Sequence, residues 1–197
     1  GQYRMASEAS EIALARCAAP ASVSDHAEVL VFGKHGYDIA IKGTNGFVCY
    51  VTRAWDDNFD SSQFWNLKIR SPMCLNPAAV RSVLPRYLTR TKWALAGVPK
   101  TEMQARERAE RSAGTLKPPE PGSLSYMMSK GGYLNDAAAG PWHPHVMFYV
   151  PRTEASQWGA NLPGSPVASD SGAGEDTTLF FVVVPKWSDG TPGPAIH

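Results

Sequence analysis

Apolar residues alternate with polar ones at Tyr37, Ile39 and Ile41, and again from Phe47 to Trp55, on either side of Gly43-Thr44-Asn45-Gly46. Such alternation turns one side of an extended chain toward a core, and Asn-Gly suits a tight reversal, so 37–42 and 47–55 are predicted to form a hairpin. The runs at 27–32, 123–129, 145–150 and 178–184 also have strand length and composition. Helical punctuation is equally plain. Ser7 can cap a helix over 7–19, with Glu8 and Glu11 in its first turn and Pro20 as its stop. Asn76 followed by Pro77 opens a second helix over 77–96, which Pro85 should kink or divide. Thr101 and Gln104 have capping-box spacing at the head of a third, over 101–113. It is polar almost all round, with Glu102/Arg106 and Glu107/Arg111 at i,i+4, and reads as a solvated surface helix.

These elements predict one α+β domain over residues 7–190: a mainly antiparallel sheet of about five or six strands, about three helices and long loops. Residues 1–6 read as a tag scar or flexible start, and 191–197 as a flexible end. The Pro-rich stretch 115–122 reads as a stiff connector inside this domain, because the 75 residues after it are too few and too strand-like to stand alone.

Composition narrows the partners. Lys and Arg number 19 against 18 Asp and Glu, for a net charge of +1, so no basic excess exists to neutralise phosphates and nucleic acid is not expected. No apolar run reaches the roughly 18–20 residues of a membrane-crossing helix. Three cysteines, Cys17, Cys49 and Cys74, permit one internal bridge. Joining Cys49 to Cys74 would constrain the unfolded chain by about 3–4 kcal/mol and needs an oxidising compartment. The alternative is three free, buried thiols.

The most pointed chemistry lies in "GPWHPHVMFYVP" at 140–151. Residues two apart on an extended chain share a side, so His143 and His145 can present both imidazoles to one point at the start of a strand. Pro144 extends the residue before it and lacks a ladder N–H, which places the pair on an edge strand or at its first residues, an exposed, rim-like position. Two imidazoles suit a divalent transition metal, zinc or copper, provided that a third ligand arrives. His35, in "GKHGYD", is the first choice for it; His26, Asp25, Glu28 and Asp38 are the others. A cupin strand would carry a carboxylate four or five residues after such a pair, where this chain has Tyr149 and Val150.

Other motifs point away from familiar enzymes. Asp56, Asn58 and Asp60 have calcium-loop spacing, but Ser61 and Leu67 stand where glycine and glutamate belong. Ser165 lacks a nucleophile elbow, Cys49 sits inside an apolar strand, and no Gly-rich loop opens a helix. Trp55, Phe59, Phe64, Trp65, Trp142 and Trp158 fall at strand ends and in loops, where they either line a ligand cleft or cover the ends of the core.

The stretches "GTNGFVCYV", "CLNPAA", "YMMSKGGYL", "GPWHPHVMFYVP" and "WGANLPGSPV" together resemble a group of exported bacterial proteins of unassigned function, from about residue 7 to 190. The resemblance implies a precursor with a signal peptide and a periplasmic or secreted product; it implies no activity. Two functions are therefore expected. One is an exported protein that binds a transition metal through His143, His145 and His35, or a small ligand beside Trp142, Tyr126, Trp158 and Asn161. The other is a non-catalytic binding module whose aromatic loops hold a small molecule or a protein. Neither decides whether the chain is an enzyme.

Overall fold

The computed structural model describes residues 2–134, 136, 142–172 and 175–195. Among them one mixed sheet of eight strands runs in the order β2-β1-β3-β4-β5-β6-β8-β7. The strands are β1 (Glu28–Phe32), β2 (Tyr37–Ile41), β3 (Val48–Thr52), β4 (Ser71–Leu75), β5 (Leu124–Met127), β6 (His145–Pro151), β7 (Val167–Asp170) and β8 (Thr177–Val183). Five α-helices accompany them: α1 (Glu8–Arg16), α2 (Ala21–Ser24), α3 (Pro77–Ser82), α4 (Leu84–Leu95) and α5 (Lys100–Ser112). The α+β class and the single sheet are as expected, with more strands and helices than the sequence suggests.

The helix punctuation works largely as read. Ser7 accepts from the Ser10 N–H, and Asn76 from the Ala79 N–H with Pro77 in the first turn. Pro85 divides the long run into α3 and α4 at Val83. The third helix starts at Lys100 behind Pro99, without a side-chain cap.

Strand pairing departs from the local signal. The predicted hairpin of 37–42 with 47–55 does not form. β2 pairs antiparallel with β1, and β3 pairs parallel with β1 on its other side. The Asn-Gly segment instead carries the chain across the end of β1, with Gly46 at φ 77° and Asn45 bonded to the Val23 carbonyl. A Cβ on Gly43 would lie 2.1 Å from the Glu28 nitrogen, so only glycine fits this crossing. Burial decides the arrangement: β3 is buried along its whole length and needs neighbours on both edges, whereas β2 exposes Asp38 and Ile39 and takes the rim.

Each side of the sheet has its own core. On the front, Tyr50, Met73, Leu75, Met147 and Tyr149 pack beneath Ala79, Val83, Leu84 and Tyr87 of the α3–α4 layer. On the back, Val29, Cys49, Val51 and Cys74 pack with Ala15, Ala18 and Ala19 at and just beyond the end of α1. Cys49 and Cys74 are directly opposite on β3 and β4 and are joined as a disulfide; Cys17 is free and exposed. β4 and β5 share only two paired positions, Cys74 with Tyr126 and Leu75 with Ser125. A third cluster, Phe32, Trp55, Phe59, Phe64, Val98 and Met103, fills the end of the domain. Tyr3, which the sequence places outside the domain, packs edge-on against Trp55 at 4.7 Å.

α5 is not the solvated helix its composition suggests. Met103 and Glu107 are buried, and Glu107 joins Glu175 in holding Arg86 and Arg90. Burial would raise Glu107, yet the guanidiniums of Arg86, Arg90 and Arg111 outweigh it and hold the carboxyl at about 2. On the far side of the domain Glu11 of α1 pairs with buried Arg53 at 2.8 Å and accepts from the Phe32 N–H.

The bridge closes 25 residues of chain. Cys49→Ala/Cys74→Ala is expected to lose about 3 kcal/mol in denaturant melts without a change in circular dichroism. An unchanged midpoint would mean that the bridge adds nothing to the fold.

Candidate functional site

The front of the sheet carries a cleft of about 320 Å³. Its apolar wall comes from the strands: Met73 of β4, Met127 of β5, Met147 of β6, and Leu179 and Phe181 of β8. Opposite them stand Tyr87 of α4 and Asp56, at the end of a 3-10 turn (Ala54–Asp56). Arg53, Asp57, Asp170 and His145 complete the polar part.

Asp56 is held from two directions. The Arg53 N–H donates to its Oδ2 at 3.3 Å. Arg90, fully buried beneath the turn, donates to the Asp57 carbonyl at 2.7 Å. Oδ1 is buried and has no hydrogen-bond partner. Burial raises this carboxyl from 3.8 to about 7, against the Arg53 N–H and the charges of Arg90, Arg53 and Arg86. A carboxyl kept neutral up to pH 7 is a proton donor where an ordinary aspartate is an acceptor.

His145 is the complementary group. Its Nδ1 lies 2.8 Å from the His143 carbonyl oxygen. A carbonyl only accepts, so Nδ1 carries the proton and Nε2 presents a bare lone pair. Nε2 is buried and unpartnered. Burial first, and the neighbouring His143 second, hold the imidazole below its usual range in spite of the bond to the carbonyl, so it stays neutral. The ring is fixed edge-on between Trp142 and Phe181, each at 5.4 Å. The cleft thus combines a neutral acid, a neutral base and an apolar wall, the combination that proton transfer or polar-group recognition uses.

The other expected site residues scatter. β6 lies between β5 and β8, so His145 is on an inner strand and not an edge; Pro144 precedes the first ladder position, where its missing N–H costs nothing. His143 meets His145 through its backbone carbonyl, and its own Nδ1 is buried without a partner. His35 is exposed in the turn after β1, four strand spacings from β6, or roughly 19 Å. It is not brought to the pair. Among the described residues no group of three or more His, Cys, Asp or Glu is placed to hold a metal ion. Tyr126 packs on the back of the sheet near Phe47, and Trp158 stacks on Phe180 at 4.2 Å. Asn161, at φ 62°, accepts from the Ser169 N–H and closes its own loop. Of the loop aromatics, Trp55, Phe59 and Phe64 are core, with Trp55 donating to Thr91; Trp65 and Trp158 stay exposed.

Asp56 is the group that sequence reading misses. Its one visible signal is an acidic residue four positions beyond the end of a mostly apolar strand, and the calcium-like spacing of 56, 58 and 60 diverts attention from it. Asn58 in fact donates to Asp170 at 2.8 Å.

The chain matches no protein-family model, no curated protein and no solved structure. The geometry itself has a measurable consequence. Between about pH 4 and 7 an unfolded chain has Asp56 ionised while the folded protein keeps it protonated, so folding takes up a proton. A carboxyl with a raised folded value contributes stability at low pH and loses it as pH rises through about 7. Asp56→Asn should therefore gain on the wild type by up to a few kcal/mol as pH is raised from about 4 to 8. Denaturant melts at several pH values measure it, and a constant difference would show that this carboxyl is not buried in solution.

Proposed function

We propose that this is an exported protein that holds a small, mostly apolar molecule in the front cleft, with His145 accepting a hydrogen bond from it and Asp56 donating one. The observation that carries this reading is the pair of buried, unpartnered side-chain atoms, Asp56 Oδ1 and His145 Nε2, on residues that line the same cleft. Leaving a buried polar atom unsatisfied costs about 1–3 kcal/mol, and such a cost persists where a ligand relieves it. Near neutral pH Asp56 exchanges its proton readily, so proton transfer to or from the bound molecule is chemistry that the site makes available.

Export is part of the proposal. Disulfides such as Cys49–Cys74 form and persist chiefly in oxidising compartments, which supports this part of the reading, and no helix among the described residues is long and apolar enough to cross a membrane. Of the six loop aromatics named from the sequence, Trp65 and Trp158 are the exposed rings, and neither lines this cleft.

A fragment screen by ligand-observed NMR tests the reading. Hits are expected to combine an apolar ring with an adjoining donor and acceptor, and to lose at least about tenfold in affinity on His145→Ala. Asp56→Asn, which still donates but cannot ionise, should keep binding and remove its pH dependence near 7. Hits indifferent to both substitutions, or no hits, would sink the proposal.

A further inference from the structure

The floor of the cleft holds a second donor set, made of thioethers beside the imidazole. Met127 is the direct cross-strand partner of His145, and Met147 follows His145 by two residues on the same side of β6. Cross-strand partners have Cβ atoms about 5 Å apart and alternate residues on a strand about 7 Å, so two thioethers and one imidazole start within side-chain reach of a common point. All three residues line the cleft. Met73 also lines it, but its sulfur accepts from the Tyr149 hydroxyl at 3.3 Å and is already engaged.

His145 is in the form that a metal requires. Its Nδ1–H is committed to a backbone carbonyl, the usual second bond of a ligating histidine, which fixes the ring and leaves the buried Nε2 lone pair free. The donor set is neutral and soft. A buried divalent ion carries about four times the desolvation cost of a monovalent one, because that cost scales with the square of the charge, and among the described residues no group of three or more His, Cys, Asp or Glu is placed to hold a metal ion and offset it. Thioether sulfur prefers copper(I) to zinc, calcium or magnesium. Trp142, edge-on to His145 at 5.4 Å, lies close enough to report on an ion bound there.

We infer that Met127, Met147 and His145 form a binding site for a soft monovalent metal ion, copper(I) in kind, at the floor of the cleft. This goes beyond the small-molecule reading and shares with it only the free Nε2.

Silver(I), which has the same preference without redox chemistry, is the probe. It is titrated as the acetate, in chloride-free buffer, into untagged, disulfide-bonded Cys17→Ala protein, so that the exposed thiol does not compete. One ion per chain is expected by calorimetry and elemental analysis, with quenching of tryptophan fluorescence that Trp142→Phe diminishes. Met127→Leu and Met147→Leu nearly conserve volume and keep the fold; each should weaken silver binding at least about tenfold, and the pair together by more. Zinc in excess should not displace the ion. No uptake, or uptake unaffected by the double Met→Leu variant, overturns the inference. Fragment binding that survives in that variant leaves the cleft reading standing when the metal site fails; loss of fragment binding in His145→Ala alone does not rescue the metal site.

Discussion

Everything on the front of this protein hangs from Arg90. Its guanidinium is fully buried, faces Glu107 at 2.5 and 3.1 Å and Glu175 at 3.2 Å, and lies 4.0 Å over the ring of Phe59. Those partners come from α5, from the loop before β8, and from the segment after the 3-10 turn, so one side chain fastens three parts of the chain to α4. Removing one member of such a group strands a buried charge, at a cost of about 3–5 kcal/mol. Its remaining nitrogen binds the Asp57 carbonyl, and that bond fixes the turn on which Asp56 sits.

The polar character of the cleft follows from that placement. Arg90 and Arg53 are near enough to favour an ionised Asp56, yet their hydrogen bonds go elsewhere: to Glu107 and Glu175 for the first, to Glu11 and the Tyr3 carbonyl for the second. Neither guanidinium donates to the Asp56 side chain, so burial prevails over charge attraction. His145, on the opposite wall, is held neutral by burial as well. Two ionisable groups are thus kept uncharged in one cleft by the same physical cause, acting on an acid and on a base.

Local chemistry was legible in the sequence wherever it is decided locally. Ser7, Asn76-Pro77 and Pro85 mark helix limits because caps and prolines act over one turn. β1, β5, β6 and β8 announce themselves as apolar runs. β4 does not, because Pro72 interrupts it; the strand tolerates this proline where β5, paired only to Cys74 and Leu75, has not yet begun. β7, "VASD", is too short and polar to stand out. The order of strands is a property of the whole: the Asn-Gly turn reads as a hairpin until the full burial of β3 demands a second neighbour. The site divides the same way. His145 can be picked out from spacing, whereas Asp56 becomes unusual only through its burial, which outweighs the pull of Arg90 and Arg53, and that setting has no counterpart in a string of letters.

The brevity of the β4–β5 ladder has a mechanical meaning. On one side of it lie β2, β1, β3 and β4, clasped from behind by α1 and the disulfide; on the other lie β5, β6, β8 and β7. Met73 belongs to the first half, and Met127, Met147 and His145 to the second, so the cleft straddles the seam. A sheet hinges most easily where the fewest rungs must bend. A change in the angle between the two halves of this single sheet would change the width of the cleft, and a molecule gripping both walls would act as a splint across that joint.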